Sequence, residues 1–469
     1  MVIWLLLACG RSASQDSGPF DRDKDGVRDG EDCAPDDPNI GPGPEVCDGV
    51  DNDCDGLEDE GFDTDQDGTP DCQEPCPLMV STAGSPDGDG SLEQPFLRVS
   101  QAQEQLDDFC STIALMPGVY TESVDFGTQE IWLQSTDGPQ STVLEAEEVG
   151  PVIRIDGRQT QASGVQGLTL RGGTGVAGDG SDALPVDYTH GGGLFVRSAD
   201  PILLDLILAD NQVTGRGGGV ALLNWEGRME NSVILNNLST EYPQYAGGGL
   251  FLYESAGQIN GCTFQGNQAL GEDADGGAIM QWKGGSELVG NRFVDNVAVG
   301  SGGALRSADA QVFVVNNHIT GSAPEALRFS YDDVGLVANN TIQSSTLDGI
   351  RSQTSGSYVG TGPVLDIANN VIVDSGRYGL YVTGRHRMTF RSNLIWASGQ
   401  ADFEVTEDWE EGPGNLYADP LLTLDGVPSA DSPVVDAGLD LSRWFTRDIY
   451  GTERPLGDAW DLGAVEQAP

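Results

Sequence analysis

Two sets of residues have types and spacings that could do chemistry. The first is acidic: Asp21, Asp23, Asp25, Gly26, Asp29 and Asp32 stand at positions 1, 3, 5, 6, 9 and 12 of a twelve-residue stretch, and Asp63, Asp65, Asp67, Gly68, Asp71 and Glu74 repeat the spacing. Alternate carboxylates converge on one hard cation, glycine permits the sharp turn, and the carbonyls of Val27 and Thr69 add an oxygen, so the expected cofactor is Ca²⁺. The second set is basic: Arg306, Arg328 and Arg351 each follow a bulky apolar residue in a chain with only 23 Lys and Arg. A guanidinium reads a carboxylate through two parallel hydrogen bonds.

For the arginines to act together, the chain must stack them. A bulky apolar residue recurs at Leu170, Leu208, Ile234, Phe264, Phe293, Ile319, Ile342, Ile372, Ile395 and Tyr417, at intervals of 22 to 30 residues after a first gap of 38. Two positions earlier stand Leu168, Leu206, Ser232, Cys262, Asn291, Asn317, Asn340, Asn370, Asn393 and Asn415. A second apolar column follows the glycines: Phe195, Ala221, Phe251, Ile279, Leu305, Leu327, Ile350, Leu380 and Phe403. Such a period marks a solenoid whose repeats bury their apolar faces only by stacking. The 65 Gly, 24 Pro and β-branched apolar positions make it a parallel β-solenoid of short strands and tight turns. Equivalent residues then lie about 4.8 Å apart, so the asparagines form a buried amide ladder that holds the coil and does no chemistry.

Strand alternation turns the residues after Leu305, Leu327 and Ile350 outward, which places Arg306, Arg328 and Arg351 on consecutive rungs, with Met280 and Leu252 above and Tyr381 and Glu404 below. Guanidiniums about 5 Å apart repel by roughly 1 kcal/mol per pair even in water. Either nearby acids (Asp309, Glu325, Asp332 or Asp348) offset that charge, or the column is a shallow groove for an acidic polymer, with Trp282 or Tyr381 as sugar platforms.

The rungs Gly191-Gly192-Gly193-Leu194-Phe195, Gly247-Gly248-Gly249-Leu250-Phe251 and Gly276-Gly277-Ala278-Ile279 resemble the right-handed parallel β-helix repeats of secreted bacterial proteins. The resemblance implies an all-β, single-stranded right-handed parallel β-helix with end caps. It leaves function open, because pectate lyases, epimerases and adhesins all use this fold. The segment Glu45 to Glu60, with Asp32-Cys33 upstream, resembles an acidic metal-binding motif of large secreted bacterial proteins, which adds Asp51, Asp53, Asp55 and Asp59 to the candidate ligands. The loop from Asp63 resembles a thrombospondin type 3 repeat. Leu6-Leu7-Ala8-Cys9 resembles a lipobox, implying lipidation of Cys9 and association with the outer membrane through a lipid anchor. An ordinary signal peptide with an incidental cysteine is the alternative.

The formal charge of −51 argues against nucleic acid as a partner. With Cys9 lipidated and Cys262 buried in the ladder, Cys33, Cys47, Cys54, Cys72, Cys76 and Cys110 remain for disulfides, with Cys76 expected to pair with Cys110. The chain divides into a signal or lipobox (1–9), a linker (10–19), an acidic Cys-rich stalk (20–78), the β-helix with its N-terminal cap (79–420) and a C-terminal capping module (421–469). A helix over Val99 to Phe109 should cover the first rung, and Gly172 to Thr189 should project as a loop. His190, His318 and His386 sit in no glycosidase signature, and Lys283 beside Trp282 is the one candidate lyase base. The reading is an exported cell-surface protein binding an acidic polysaccharide or cell-envelope component. A calcium-dependent uronate lyase or epimerase and a purely structural spacer are the alternatives.

Overall fold

The computed structural model describes residues 21–24, 34–38, 40, 45–46, 50–52, 59, 76–107, 109–354, 359–405 and 411–468. They fall into two units, one holding residues up to Cys76 together with Leu106–Cys110, the other Pro77–Gln105 and Ser111–Pro469.

The larger unit is a right-handed parallel β-helix. Each coil gives one strand to each of three parallel sheets. The first sheet has 12 strands, from Leu78–Ser85 to Arg387–Arg391; the second has 11, from Val124–Asp125 to Ala401–Val405; the third has 11, from Gly118–Thr121 to Leu394–Trp396. The first apolar column runs in register down the third sheet from Leu170 to Ile395, and every member is buried. Its expected last member, Tyr417, is 44% exposed, because beyond Ile395 only an isolated bridge between Leu394 and Leu416 continues the sheet.

The asparagine ladder forms as expected. Asn317 Oδ1 accepts from the backbone N–H of Asn291 (2.9 Å) and from its Nδ2 (3.1 Å), while Asn317 Nδ2 donates to Asn340 Oδ1 and Leu288 O, both at 3.0 Å. In the doublets Asn316-Asn317, Asn339-Asn340 and Asn369-Asn370, the first residue takes a left-handed turn (φ 57°, 50° and 57°), which asparagine tolerates, and the second enters the ladder. Cys262 is reduced and buried in that column, its N–H donating to Asn291 Oδ1 at 2.9 Å.

A second ladder, not expected from the first, runs beside it: Asn211, Asn237, Asn267 and Asn296 each lie three residues after an apolar column member and bond rung to rung at 3.0 to 3.1 Å. The third glycine of each triplet makes room for it. A Cβ on Gly219 would lie 2.9 Å from Asn237 Cγ, and one on Gly249 3.0 Å from Asn267 Cγ.

Register corrects the second apolar column. Ile279 pairs with Leu250, and Leu250 with Val220 and Leu194, so Phe195, Ala221 and Phe251 are not the inward residues. The left-handed glycines Gly191, Gly217, Gly247, Gly276 and Gly302 fix the count, the inward residue being the third after each. Above Met280 the outward column therefore holds Phe251, while Leu252 pairs with Gln281.

An outward apolar column needs cover, and the segment after Gly172 supplies it. Instead of projecting, it pairs Val176–Ala177 antiparallel with Thr189–His190 and buries Ala183 and Leu184 against Phe195, Ala221 and Leu223. At the start of the coil the helix is only Val99–Glu104, its N-terminus held by Glu122, which accepts from the N–H of Val99 (2.9 Å) and Ser100 (3.0 Å). The tail packs along the turns between the first and third sheets. Trp460 and Leu441 cover Val315, Leu336 and Ala338, and the left-handed Asn316, Asn339 and Asn369 donate to the carbonyls of Arg447, Asp461 and Leu439.

In the smaller unit, Cys76 and Cys110 form the expected disulfide. Val46 N–H donates to Asn52 Oδ1 (2.9 Å), Asp59 N–H to Glu45 (3.2 Å), and Arg22 pairs with Asp36 (3.0 Å).

Candidate functional site

The outward face of the second sheet carries the arginine column. Arg306, Arg328 and Arg351 are in register on the neighbouring strands Leu305–Ala308, Leu327–Phe329 and Ile350–Gln353, followed by Tyr381 and Glu404. Their side chains are 7%, 13% and 19% exposed, so the column opens progressively toward Tyr381.

Each guanidinium meets a carboxylate from the turn before a strand: Arg306 lies 3.6 Å from Asp275, Arg328 3.7 Å from Glu325, and Arg351 3.6 Å from Asp348. Of the four acids expected, Glu325 and Asp348 take this role. Asp332 instead accepts from the N–H groups of Thr361 (2.9 Å) and Gly362 (3.2 Å), and Asp309 accepts from Asp332 N–H. These ion pairs are longer than hydrogen bonds, and the Nε atoms of all three arginines have no hydrogen-bond partner. Gln353 Oε1 bridges two of them, accepting from Nη2 of Arg328 (2.9 Å) and of Arg351 (2.8 Å).

Charge compensation is incomplete at the open end. Asp348 is gripped by Arg377 through both oxygens, at 2.9 and 2.5 Å, so one carboxylate serves two guanidiniums. Burial pushes the carboxyl groups of Glu325 and Asp275 upward, against the pull of the arginines, which weakens their ability to neutralise the column. Burial, with Arg306 and Arg351 on either side, holds Arg328 down at about 10. Tyr381 stacks under both neighbours, its ring centroid 4.6 Å from Arg351 and 4.9 Å from Arg377.

At the closed end, the Tyr245 hydroxyl donates to that of Tyr331 (3.2 Å). Tyr245 also stacks on Trp282 at 4.9 Å, nearly parallel, so Trp282 has one ring face already covered. Lys283 donates to Tyr253 (3.1 Å) and Glu254 (3.2 Å), and these contacts raise its pKa, which suits a structural cation better than a base.

Asp333, beside Asp332 in the one acidic doublet of this region and too weak a signal by itself to mark a site, lies fully buried near Arg306. It accepts from Ser307 Oγ (3.1 Å) and from the N–H of Ala310 and Ser330 (2.9 Å each), yet burial pushes it up to about 7.

Of the candidate calcium ligands, Asp21, Asp23, Asp51 and Asp59 are described; Asp21 accepts from Lys24 N–H at 2.7 Å and Asp59 is buried. Asp25, Asp29, Asp32, Asp53, Asp55, Asp63, Asp65, Asp67, Asp71 and Glu74 lie outside the described residues, as do Cys9, Cys33, Cys47, Cys54 and Cys72. No group of three or more His, Cys, Asp or Glu converges on a metal position among the described residues. Among those residues, no helix is long and apolar enough to cross a membrane.

Residues 302–408, which include all three arginines, match the family model described as "Right handed beta helix region". No curated protein matches the chain. Among solved structures, the chain is similar to pectate lyase Pel9A (14% identity, covering 84% of this chain and 98% of that one, TM-score 0.47) and to a rhamnogalacturonan lyase (12%, 80% and 94%, 0.41). It is also similar to the A-module of the mannuronan C-5 epimerase AlgE6 from Azotobacter vinelandii (16%, 66% and 91%, 0.31).

Proposed function

We propose that the chain is an exported, surface-attached β-helix protein whose second sheet binds a carboxylate-bearing polysaccharide at Arg328, Arg351, Arg377 and Tyr381 without cleaving it. The observation that carries this reading is the shared carboxylate: Asp348 is filled by Arg377, leaving Arg351 undercompensated and partly exposed, its buried Nε without a hydrogen-bond partner. An incoming carboxylate offsets that charge, and the Tyr381 ring beside it offers an apolar face to a sugar. The site crosses successive rungs and is open along the sheet, which suits an extended polymer. In the same reading the acidic N-terminal segment binds Ca²⁺ through the two loops from Asp21 and Asp63, and a lipid on Cys9 holds the protein at the outer membrane. The spacing of those carboxylates and the residues before Cys9 support this part.

One observation favours a second reading, uronate β-elimination. Arg328, held down at about 10, is a better base than an ordinary arginine and stands in the same column. Its neutral form would take the proton α to the uronate carboxylate while the β glycosidic C–O bond breaks and the leaving oxygen takes a proton from water, giving an unsaturated uronate. The two readings separate when the full chain is incubated with polygalacturonate and alginate, with and without Ca²⁺. Retention of polymer with no ultraviolet-absorbing product supports binding alone. Product that vanishes in Arg328→Ala establishes the lyase.

A further inference from the structure

Four well-buried guanidiniums have a carboxylate within 3.7 Å: Arg306 with Asp275, Arg328 with Glu325, Arg351 with Asp348, and Arg454 with Glu466. Arg216 is the exception. The residue is 1% exposed, forms no ion pair among the described residues, and its Nε has no hydrogen-bond partner. Its other nitrogens donate to neutral acceptors, Nη1 to the carbonyls of Asp182 (2.5 Å) and Ala183 (2.9 Å) and Nη2 to the Tyr242 hydroxyl (2.8 Å). The rings of Tyr242, Phe251 and Trp282 surround it at 4.5, 4.9 and 5.1 Å. A buried cation without a counter-charge is costly, and neutral dipoles and ring faces offset only part of that cost.

Arg216 forms part of the wall of a cleft of about 400 Å³ between the covering segment and the sheet. Ser181, Asp182 and Val186 line one side; Gln244, Tyr245 and Trp282 line the other. That volume suits one sugar ring or a similarly small acid. The Asp182 carboxylate on the wall attracts Arg216 without an ion-pair contact, and the aromatic walls with an amide, a hydroxyl and one buried cation fit a polyhydroxylated carboxylate.

We infer that this cleft is a second carboxylate-binding site, distinct from the arginine column, in which Arg216 receives the carboxylate of a small hydroxylated acid such as a uronate. The acid could arrive free or as one residue of a polymer. Bound there, it supplies the direct ion pair that Arg216, alone among these arginines, lacks among the described residues.

The test is calorimetry and thermal melting of the full chain with galacturonate, polygalacturonate and glucose, on wild type, Arg216→Met, Val186→Trp and Arg351→Ala. Val186 is 61% exposed on the rim, so a tryptophan there narrows the cleft without touching Arg216's own contacts. Galacturonate should bind at least about tenfold more weakly to Arg216→Met and Val186→Trp than to wild type. Polygalacturonate retained at this site as well as the monomer identifies a polymer residue as the source; monomer alone identifies a free acid. Galacturonate failing to bind wild type, binding no better than glucose, or binding Val186→Trp and Arg216→Met as tightly as wild type would each overturn the inference. Loss of monomer binding in Arg351→Ala alone would assign the effect to the column and overturn it too.

Discussion

Arg328 and Arg351 stand in register on neighbouring strands, and neither reaches a carboxylate at hydrogen-bonding distance; their acids lie 3.7 and 3.6 Å away. Like charges at that spacing persist because Glu325, Asp348 and the bridging Gln353 hold them, and because the stacked backbone leaves them no other rung. The column is thus an arrangement that the solenoid imposes and the turn residues only partly neutralise.

The ladder should carry stability that depends on depth. Asn317→Ala removes an amide that bonds to two neighbouring asparagines and a backbone carbonyl in the buried interior, leaving their groups unpaired, and should cost about 2–4 kcal/mol in denaturant unfolding. Asn415→Ala, at the partly exposed end, should cost under about 1 kcal/mol. Equal losses would show that the bonds do not act as a buried network.

Asp333 should make stability depend on pH in a defined direction. Its folded pKa, about 7, lies above the ordinary 3.8, so the folded state binds the proton more tightly than the unfolded one. That contribution is complete at pH values below the unfolded pKa and is lost as pH rises through about 7. The stability difference between wild type and Asp333→Asn should therefore shift against wild type by a few kcal/mol, at most about 4, between these limits. His190 titrates in the opposite sense, being held down at about 4 by burial, but it is common to both proteins and cancels. A flat difference across that range contradicts the assignment.

Calcium should bind the acidic N-terminal segment. Titration of the full chain should show uptake with Kd of about 1 mM or tighter, reduced in Asp65→Asn and Asp67→Asn. No heat and no change in melting temperature at ~1 mM Ca²⁺ would remove the cofactor from the account.

The fold was legible because a solenoid writes its contacts into linear spacing. The apolar and asparagine columns and the outward arginines follow from period and alternation alone. Spacing is blind where one residue of offset matters: Phe251 aligns with Met280 and not with Ile279, and only that register exposes the outward apolar stripe over which Gly172 to Thr189 folds back. The acids were only half legible. Glu325 and Asp348 are close to their arginines in sequence, whereas Asp275 is separated from Arg306 by a whole rung and reaches it only through the turn. Arg216 carries no linear signal, because what distinguishes it is burial without an ion pair, and the doublet Asp332-Asp333 does not say which of its two carboxylates is buried.

The central claim, that the open end of the arginine column receives carboxylates, is tested most directly by the affinity of polygalacturonate for wild type, Arg351→Lys and Arg351→Ala. Lysine keeps the charge but loses the fork, so binding should weaken about three- to tenfold in Arg351→Lys and further in Arg351→Ala, with melting temperatures little changed. Wild-type affinity in both variants, or no affinity in any of the three proteins, would contradict the claim and leave the column as a structural feature of the coil.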